Sequence, residues 1–210
     1  MRHVAHTLTL ALVLMLGFMV GARYQMVIDN VEGLHNLVAV QKSKIAELRS
    51  SNSHLTTVVR LREVLDENRV HLSQASVEQM AARVDQVSRK YGVSTDMIFA
   101  VIQAESSFDP LALSERGAVG LMQLLPSTAR EVAQELNIRW TDDSILWDPL
   151  TNIEMGTYYL RTLISRFDNV EVALAAYNHG PNRIAALQAT NTALPLEYPG
   201  RVLAALPEQN

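Results

Sequence analysis

The 210 residues are 48% hydrophobic and include 18 basic and 22 acidic side chains, which suffices for one moderate core plus an appendage but not for two large domains. Charge is uneven: up to Val70 there are 8 basic and 6 acidic residues, and beyond it 10 and 16, so the later part offers no electrostatic basis for holding a phosphate backbone and nucleic acid is not an expected partner. The absence of cysteine excludes disulfides and thiolate metal sites, and an oxidising compartment places no demand on the chain.

From His3 to Ala22 no residue carries a formal charge when the histidines are neutral, Leu8–Val20 is almost wholly apolar, and Arg2 and Arg23 flank the stretch. Residues 1–23 therefore read as a membrane-targeting segment. Its apolar length lies between the ~20 residues of a spanning helix and the shorter centre of a cleaved signal. Arg23 suits a retained anchor, and Val20-Gly21-Ala22 offers a cleavage site.

Residues 24–72 read as a helical stalk. Alternating steps of three and four residues pick out Val31, Leu34, Val38, Gln41, Ile45, Leu48, Asn52, Leu55, Val59 and Arg62, seven of ten being aliphatic. That is the spacing of a coiled-coil seam. A continuous helix of about 40 residues would reach roughly 60 Å; the polar members Gln41, Asn52 and Arg62 either select a register or leave the segment a partly disordered tether.

From Ser73 to residue 210 the pattern changes to shorter helices. Ser76, three residues before Gln79, gives a capping-box start, and Tyr91-Gly92 gives a stop. Further helices are predicted from about Thr95 to Ser106, Ser127 to Leu136, Ile153 to Phe167, Val170 to Tyr177 and Arg183 to Gln188, with no run of alternating strand residues. The predicted fold class is mainly α.

The chemistry centres on Met97–Glu105, which is apolar on nearly all sides except at its end. Glu105 lies three residues after Ile102, four after Val101 and seven after Ile98, and so shares their stripe on a helix. A carboxyl group there loses hydration and its pKa rises, as a general acid near neutral pH requires. The same residue at a frayed helix end would instead point into water.

Glu105 opens a series of short blocks: Glu105-Ser106-Ser107-Phe108-Asp109-Pro110, Ser114, Gly120-Leu121-Met122-Gln123, Pro126-Ser127-Thr128-Ala129, Asp148-Pro149, Asn152-Ile153, Gly156, Tyr159-Leu160 and Ala175-Ala176-Tyr177-Asn178-His179-Gly180-Pro181. In this order, over about Ser76 to Leu203, they resemble the catalytic domain of the soluble lytic transglycosylases, a family with a goose-type lysozyme-like fold. The resemblance implies that Glu105 protonates the oxygen joining N-acetylmuramic acid to N-acetylglucosamine, then removes the proton of the sugar's own C6 hydroxyl as that oxygen closes on C1, leaving a 1,6-anhydromuramoyl end. No second protein carboxylate is assigned, and the substrate's acetamido group is expected to steady the cationic centre.

The resemblance also implies substrate contacts from Ser106, Ser114, Gly120, Met122, Gln123, Tyr177 and Asn178. Against these stand structural readings: Ser114 as a turn former, Met122 and Tyr177 as core, and Asn178 with Gly180 as a helix end. Glu154 reads as structural, near a helix start. His179 and Asn182 replace residues that are commonly small in the family, and the tail from Leu196 to Leu203 matches only one variant of the last family block, leaving Glu197 and Tyr198 unassigned. The six histidines form no paired ligand motif, so neither a metal nor a cofactor is expected.

The expected partners are peptidoglycan glycan strands, the inner membrane through residues 1–23, and a second copy or an envelope complex through the stalk. The expected location is the periplasmic face of the inner membrane, or the exported soluble state if the signal is cleaved. A muramidase of the same fold that adds water, and a noncatalytic envelope scaffold that binds glycan, are the alternatives.

Overall fold

The computed structural model describes the backbone of residues 2–207 and the side chains of residues 15–207. Its first element is one uninterrupted helix, α1, Arg2–Glu67. The expected membrane segment and stalk are thus continuous helix, without a break at residue 23. Much of the apolar stretch falls on residues 1–14, whose side chains lie outside the described set; among the described residues no helix is long and apolar enough to cross a membrane.

The chain divides into two units, one ending at Asn52 and one beginning at Ser53. In the first, every described side chain from Met15 to Asn52 is exposed. The second takes in the last turns of α1, well before the expected start at Ser73. Thr57, Val58, Leu61, Val64 and Leu65 are buried, a set at helical spacing that makes this end of α1 part of the core.

The connection is also polar. Buried Asp85 accepts a hydrogen bond from Thr57 at 2.6 Å and lies 2.8 Å from His54 Nδ1, so the carboxylate is partnered on both oxygens, as a buried charge requires. The stalk and the domain were separable by composition, but this last stretch of α1 carries apolar residues on a second face that the seam does not use.

Helix α2, Gln74–Tyr91, starts at Ser73, whose hydroxyl accepts from Ser76 N at 3.1 Å, so the cap is Ser73 and not Ser76. Gly92 ends it with φ 69°, the left-handed conformation that glycine adopts without a Cβ penalty. Val77, Met80, Ala81, Val84 and Val87 form its buried stripe. Helix α3, Thr95–Ser106, capped by Ser94, runs through the core with Ile98, Phe99, Ala100, Val101 and Ile102 all buried.

Helix α4, Pro126–Glu135, precedes a short 3-10 helix, Asp143–Trp147. Helix α5, Pro149–Phe167, begins with the Asp148 side chain accepting from Thr151 N and with proline at its first position, where no intrahelical N–H is needed. Helices α6, Val170–His179, and α7, Pro181–Ala189, meet at Gly180 with φ 89°. An eighth helix, α8, Glu197–Ala204, was not anticipated. It lacks a side-chain cap and contains Pro199 and Gly200, two of the poorest helix formers; burial of Tyr198, Pro199 and Val202 overrides that propensity.

Helix α5 packs against α2 and α6, and α8 packs against α3 and α6. Glu154, on α5, ties α2 in place by accepting hydrogen bonds from Lys90 at 2.9 Å and Tyr91 at 3.2 Å and pairing with Arg83. Its structural reading stands.

Candidate active site

Helix α3 delivers Glu105 from the core to a cleft. The buried residues Ile98, Val101 and Ile102 hold the helix rigidly by packing, and the chain then leaves sharply through Ser107 and Phe108, with φ 51° and 64°. Positive φ at a bulky residue is strained. Phe108 is fully buried, its ring 6.1 Å from that of Phe99, and this packing offsets the strain and fixes the exit from the helix.

Glu105 receives a 2.6 Å hydrogen bond from the Tyr198 hydroxyl on α8. Burial pushes its carboxyl from 4.5 up to about 7, against the opposing pulls of the Tyr198 hydrogen bond and the Arg201 charge. Desolvation penalises the anion more than one hydrogen bond and one partly solvated cation support it. Glu105 therefore remains substantially protonated near neutrality and can both give and accept a proton.

The loop facing the acid is built of two successive turns. Ser114 opens the first: its N–H donates to Ala118 O at 3.0 Å and its hydroxyl accepts from Ala118 N at 2.9 Å. Gly120 and Gln123 close the second, where Gln123 N donates to Gly120 O at 3.1 Å. Two isolated antiparallel bridges, Leu113 with Val119 and Val119 with Leu124, join them.

Asn152, fully buried on α5, clamps this loop. Its amide donates to Val119 O at 2.9 Å and Leu146 O at 3.0 Å, and its oxygen accepts from Met122 N at 2.8 Å. Tyr177 on α6 donates to Met122 O at 2.7 Å. Ser106 on α3 donates to Leu121 O at 2.8 Å. Three helices thus grip consecutive residues of one loop, and each grip satisfies a backbone group that would be costly to bury unpaired.

The cleft has a volume of about 340 Å³, and its lining includes Glu105, Ser114, Gln123, Tyr177 and Asn178. These five of the expected site residues converge. Ser106, Gly120 and Met122 do not line it. Ser106 is occupied bracing Leu121. A Cβ on Gly120 would sit 2.5 Å from Asn152 Nδ2 and 2.8 Å from Leu146 O, so the glycine admits the asparagine clamp instead of a sugar. Met122 is fully buried, its side chain beneath Gly156 and its sulfur 3.8 Å from Thr157 Oγ1; backbone contacts to Asn152 and Tyr177 hold it inward. In this structure all three support the loop. Gln123 combines both roles, since its amide also donates to Ala112 O and Gly120 O at 2.9 Å.

Arg116, Thr128, Tyr159 and His179 also line the cleft. Burial and the charges of Arg183 and Arg116 push His179 below its ordinary value, opposed by Glu197. Tyr198, Asn152 and Arg201 are the contributors that sequence reasoning left unassigned to the site; their only signal was the weakly matched tail for the first and third, and the Asn152-Ile153 block for the second. Trp140 and Trp147 pack against the second apolar cluster, around Leu146 and Met155, and line no part of the cleft. Among the described residues no group of three or more His, Asp or Glu side chains is placed to hold a metal ion.

The mainly helical unit presents one desolvated acid beside a clamped loop, an arrangement suited to general acid–base chemistry. Residues 83–196 match the transglycosylase SLT domain family, and the chain belongs to that family. A Haemophilus influenzae protein named as a soluble lytic murein transglycosylase is 39% identical over 93 residues, which make up 44% of this chain and 16% of that protein. The chain therefore spans a small part of that relative's length. The 70 kDa soluble lytic transglycosylase from Escherichia coli shares the fold with a TM-score of 0.50 and 22% identity, over 75% of this chain and 25% of that one. An inactive mutant of the lytic transglycosylase Slt from Pseudomonas aeruginosa aligns with a TM-score of 0.48 and 32% identity, over 61% and 20% of the respective chains.

Proposed function

We propose that the chain cleaves peptidoglycan glycan strands as a lytic transglycosylase, with Glu105 acting first as acid and then as base. The observation that carries this reading is a single carboxyl group, protonated up to about pH 7, in a cleft whose lining among the described residues holds no second carboxylate. Either usual outcome of glycoside hydrolysis calls on a pair of carboxylates across the scissile bond. A lone acid fits a reaction in which the substrate supplies the nucleophile.

In the first step protonated Glu105 gives its proton to the oxygen linking N-acetylmuramic acid to N-acetylglucosamine through the β-1,4 bond. The bond from C1 to that oxygen breaks and leaves oxocarbenium character on the muramoyl ring. In the second, the Glu105 carboxylate removes the proton of the C6 hydroxyl as O6 bonds to C1, which leaves a 1,6-anhydromuramoyl end and Glu105 protonated as at the start. An intramolecular hydroxyl has an effective concentration of about 10⁵ M or more when well oriented, which lets it outrun water.

Tyr198 holds the carboxyl in one rotamer, while Ser114, Gln123 and Asn178 supply polar groups for the sugar's acetamido and hydroxyl substituents. No metal or cofactor takes part in this scheme. In the same reading residues 1–23 direct the chain to the bacterial inner membrane, on the periplasmic side where the substrate lies, by a retained anchor or a cleaved signal.

The test is mass spectrometry of peptidoglycan digested by the purified full chain. Anhydromuramoyl products are expected, and Glu105→Gln is expected to abolish them. Products heavier by one water would make the chain a muramidase, and no product from the unaltered chain would make it a noncatalytic scaffold.

A further inference from the structure

The exposed seam of α1 has a fixed chemistry at its two heptad positions. The first, a, holds Val31, Val38, Ile45, Asn52 and Val59; the second, d, holds Leu34, Gln41, Leu48, Leu55 and Arg62. All seven aliphatic members are exposed, from 45% at Val38 to 64% at Leu34. The seam spans five a/d pairs, each with at least one aliphatic member and two of them, Val31 with Leu34 and Ile45 with Leu48, aliphatic at both positions.

In water such a stripe is covered by another surface, because helical stability comes chiefly from packing an apolar face. Where α1 joins the catalytic unit, Thr57, Val58, Leu61, Val64 and Leu65 are buried on a different face, while Leu55 and Val59 stay exposed. Within that unit the helix thus buries one face and leaves the seam residues Leu55 and Val59 exposed on another.

The residue types select the occupant. β-Branched residues at a with leucine at d favour two parallel strands, and a single asparagine at an a position fixes register and strand number. Both features occur here, with Asn52 as that asparagine. We propose that α1 pairs with α1 of a second copy of this chain as a parallel, in-register, two-stranded coiled coil. At the flanking positions Lys44 faces Arg49 of the other copy; Glu47, 3.0 Å from Lys44 on its own helix, offsets part of this repulsion, and physiological salt screens the rest over about 8 Å.

The cysteine-free chain permits a direct test. Val31→Cys and Ile45→Cys place a thiol at two a positions about 21 Å apart along the helix, and Ser43→Cys places one on the outer face. The full chain in membranes at physiological salt is mildly oxidised and run without reductant. Disulfide-linked dimers are expected at both a positions, at least ten-fold above Ser43→Cys, because facing a residues in a parallel pair lie within disulfide range. Linking at only one of the two would mean an antiparallel or shifted pair, and linking at neither, or equally at Ser43→Cys, would mean that the seam holds something other than a second copy; each overturns the proposal. Release of muropeptides by each variant is expected to be unchanged, which checks folding and separates this outcome from that of the proposed activity.

Discussion

Replacing Glu105 by glutamine should stabilise the catalytic unit, and only at high pH. Burial has lifted the Glu105 carboxyl from 4.5 to about 7. Between those values the unfolded chain has released a proton that the folded chain keeps, so stability falls with rising pH through this window and the loss is complete above about 7. At 1.36 kcal/mol per pH unit, the charged side chain costs the folded state about 3 kcal/mol at pH 8 relative to pH below 4.5. Glutamine carries no charge and keeps an oxygen to accept the Tyr198 hydroxyl, so it removes the cost without opening a cavity. The variant should exceed the parent by about 3 kcal/mol at pH 8, or about 6–12 °C in midpoint for a unit of this size, and should match it at pH 4. Thermal unfolding followed by Trp140 and Trp147 fluorescence isolates the unit that begins at Ser53. A Gln variant less stable at pH 8, or one whose gain is equal at pH 4 and pH 8, would refute the desolvated state of the acid.

Tyr198→Phe removes the hydrogen bond that the Tyr198 hydroxyl donates to the Glu105 carboxyl. A hydrogen bond to a charged group is worth about 1.5–3 kcal/mol, so the alkaline limb of the kcat/KM profile on peptidoglycan should move up by about one to two pH units; a limb that stays in place would separate Tyr198 from control of the acid. Gly120→Ala puts a Cβ 2.5 Å from Asn152 Nδ2 at φ 78°, and disruption of the clamp should cost about 2–4 kcal/mol. Urea unfolding measures this, and a neutral result would mean that the loop does not depend on Asn152.

The helices with regular stripes and clear stops were legible in the sequence because their signals are local: the apolar run Ile98 to Ile102 for α3, and Tyr91-Gly92 for the end of α2. What escaped was set by partners distant in the chain. Ser106, Gly120 and Met122 carry the marks of a site in the family's blocks, yet their roles are decided by Leu121, Asn152 and Tyr177 through packing that no spacing rule reveals. Asp85 has no local partner on α2 that its spacing reveals, and only the fold brings Thr57 and His54 to it. Helix α8 escaped because Pro199 and Gly200 argue locally against a helix, and tertiary burial of Tyr198 and Val202 outweighs them.

The family match ends at residue 196, just short of Tyr198 and Arg201, the two groups that oppose the burial of Glu105. The acid, the clamped loop and Tyr177 lie inside the match, so the frame of the cleft belongs to the family while the balance of forces on its carboxyl depends on a segment beyond. Tyr198 is itself nearly fully buried, with the Arg201 guanidinium 5.7 Å from its ring centre. A shift of α8 that lengthened the hydrogen bond would leave only the Arg201 charge to oppose desolvation and make Glu105 a weaker acid, slower in the proposed protonation of the leaving oxygen yet a stronger base in the proposed ring closure. In the proposed mechanism, packing of α8 on α3 and α6 therefore sets the balance between the two proton transfers assigned to Glu105.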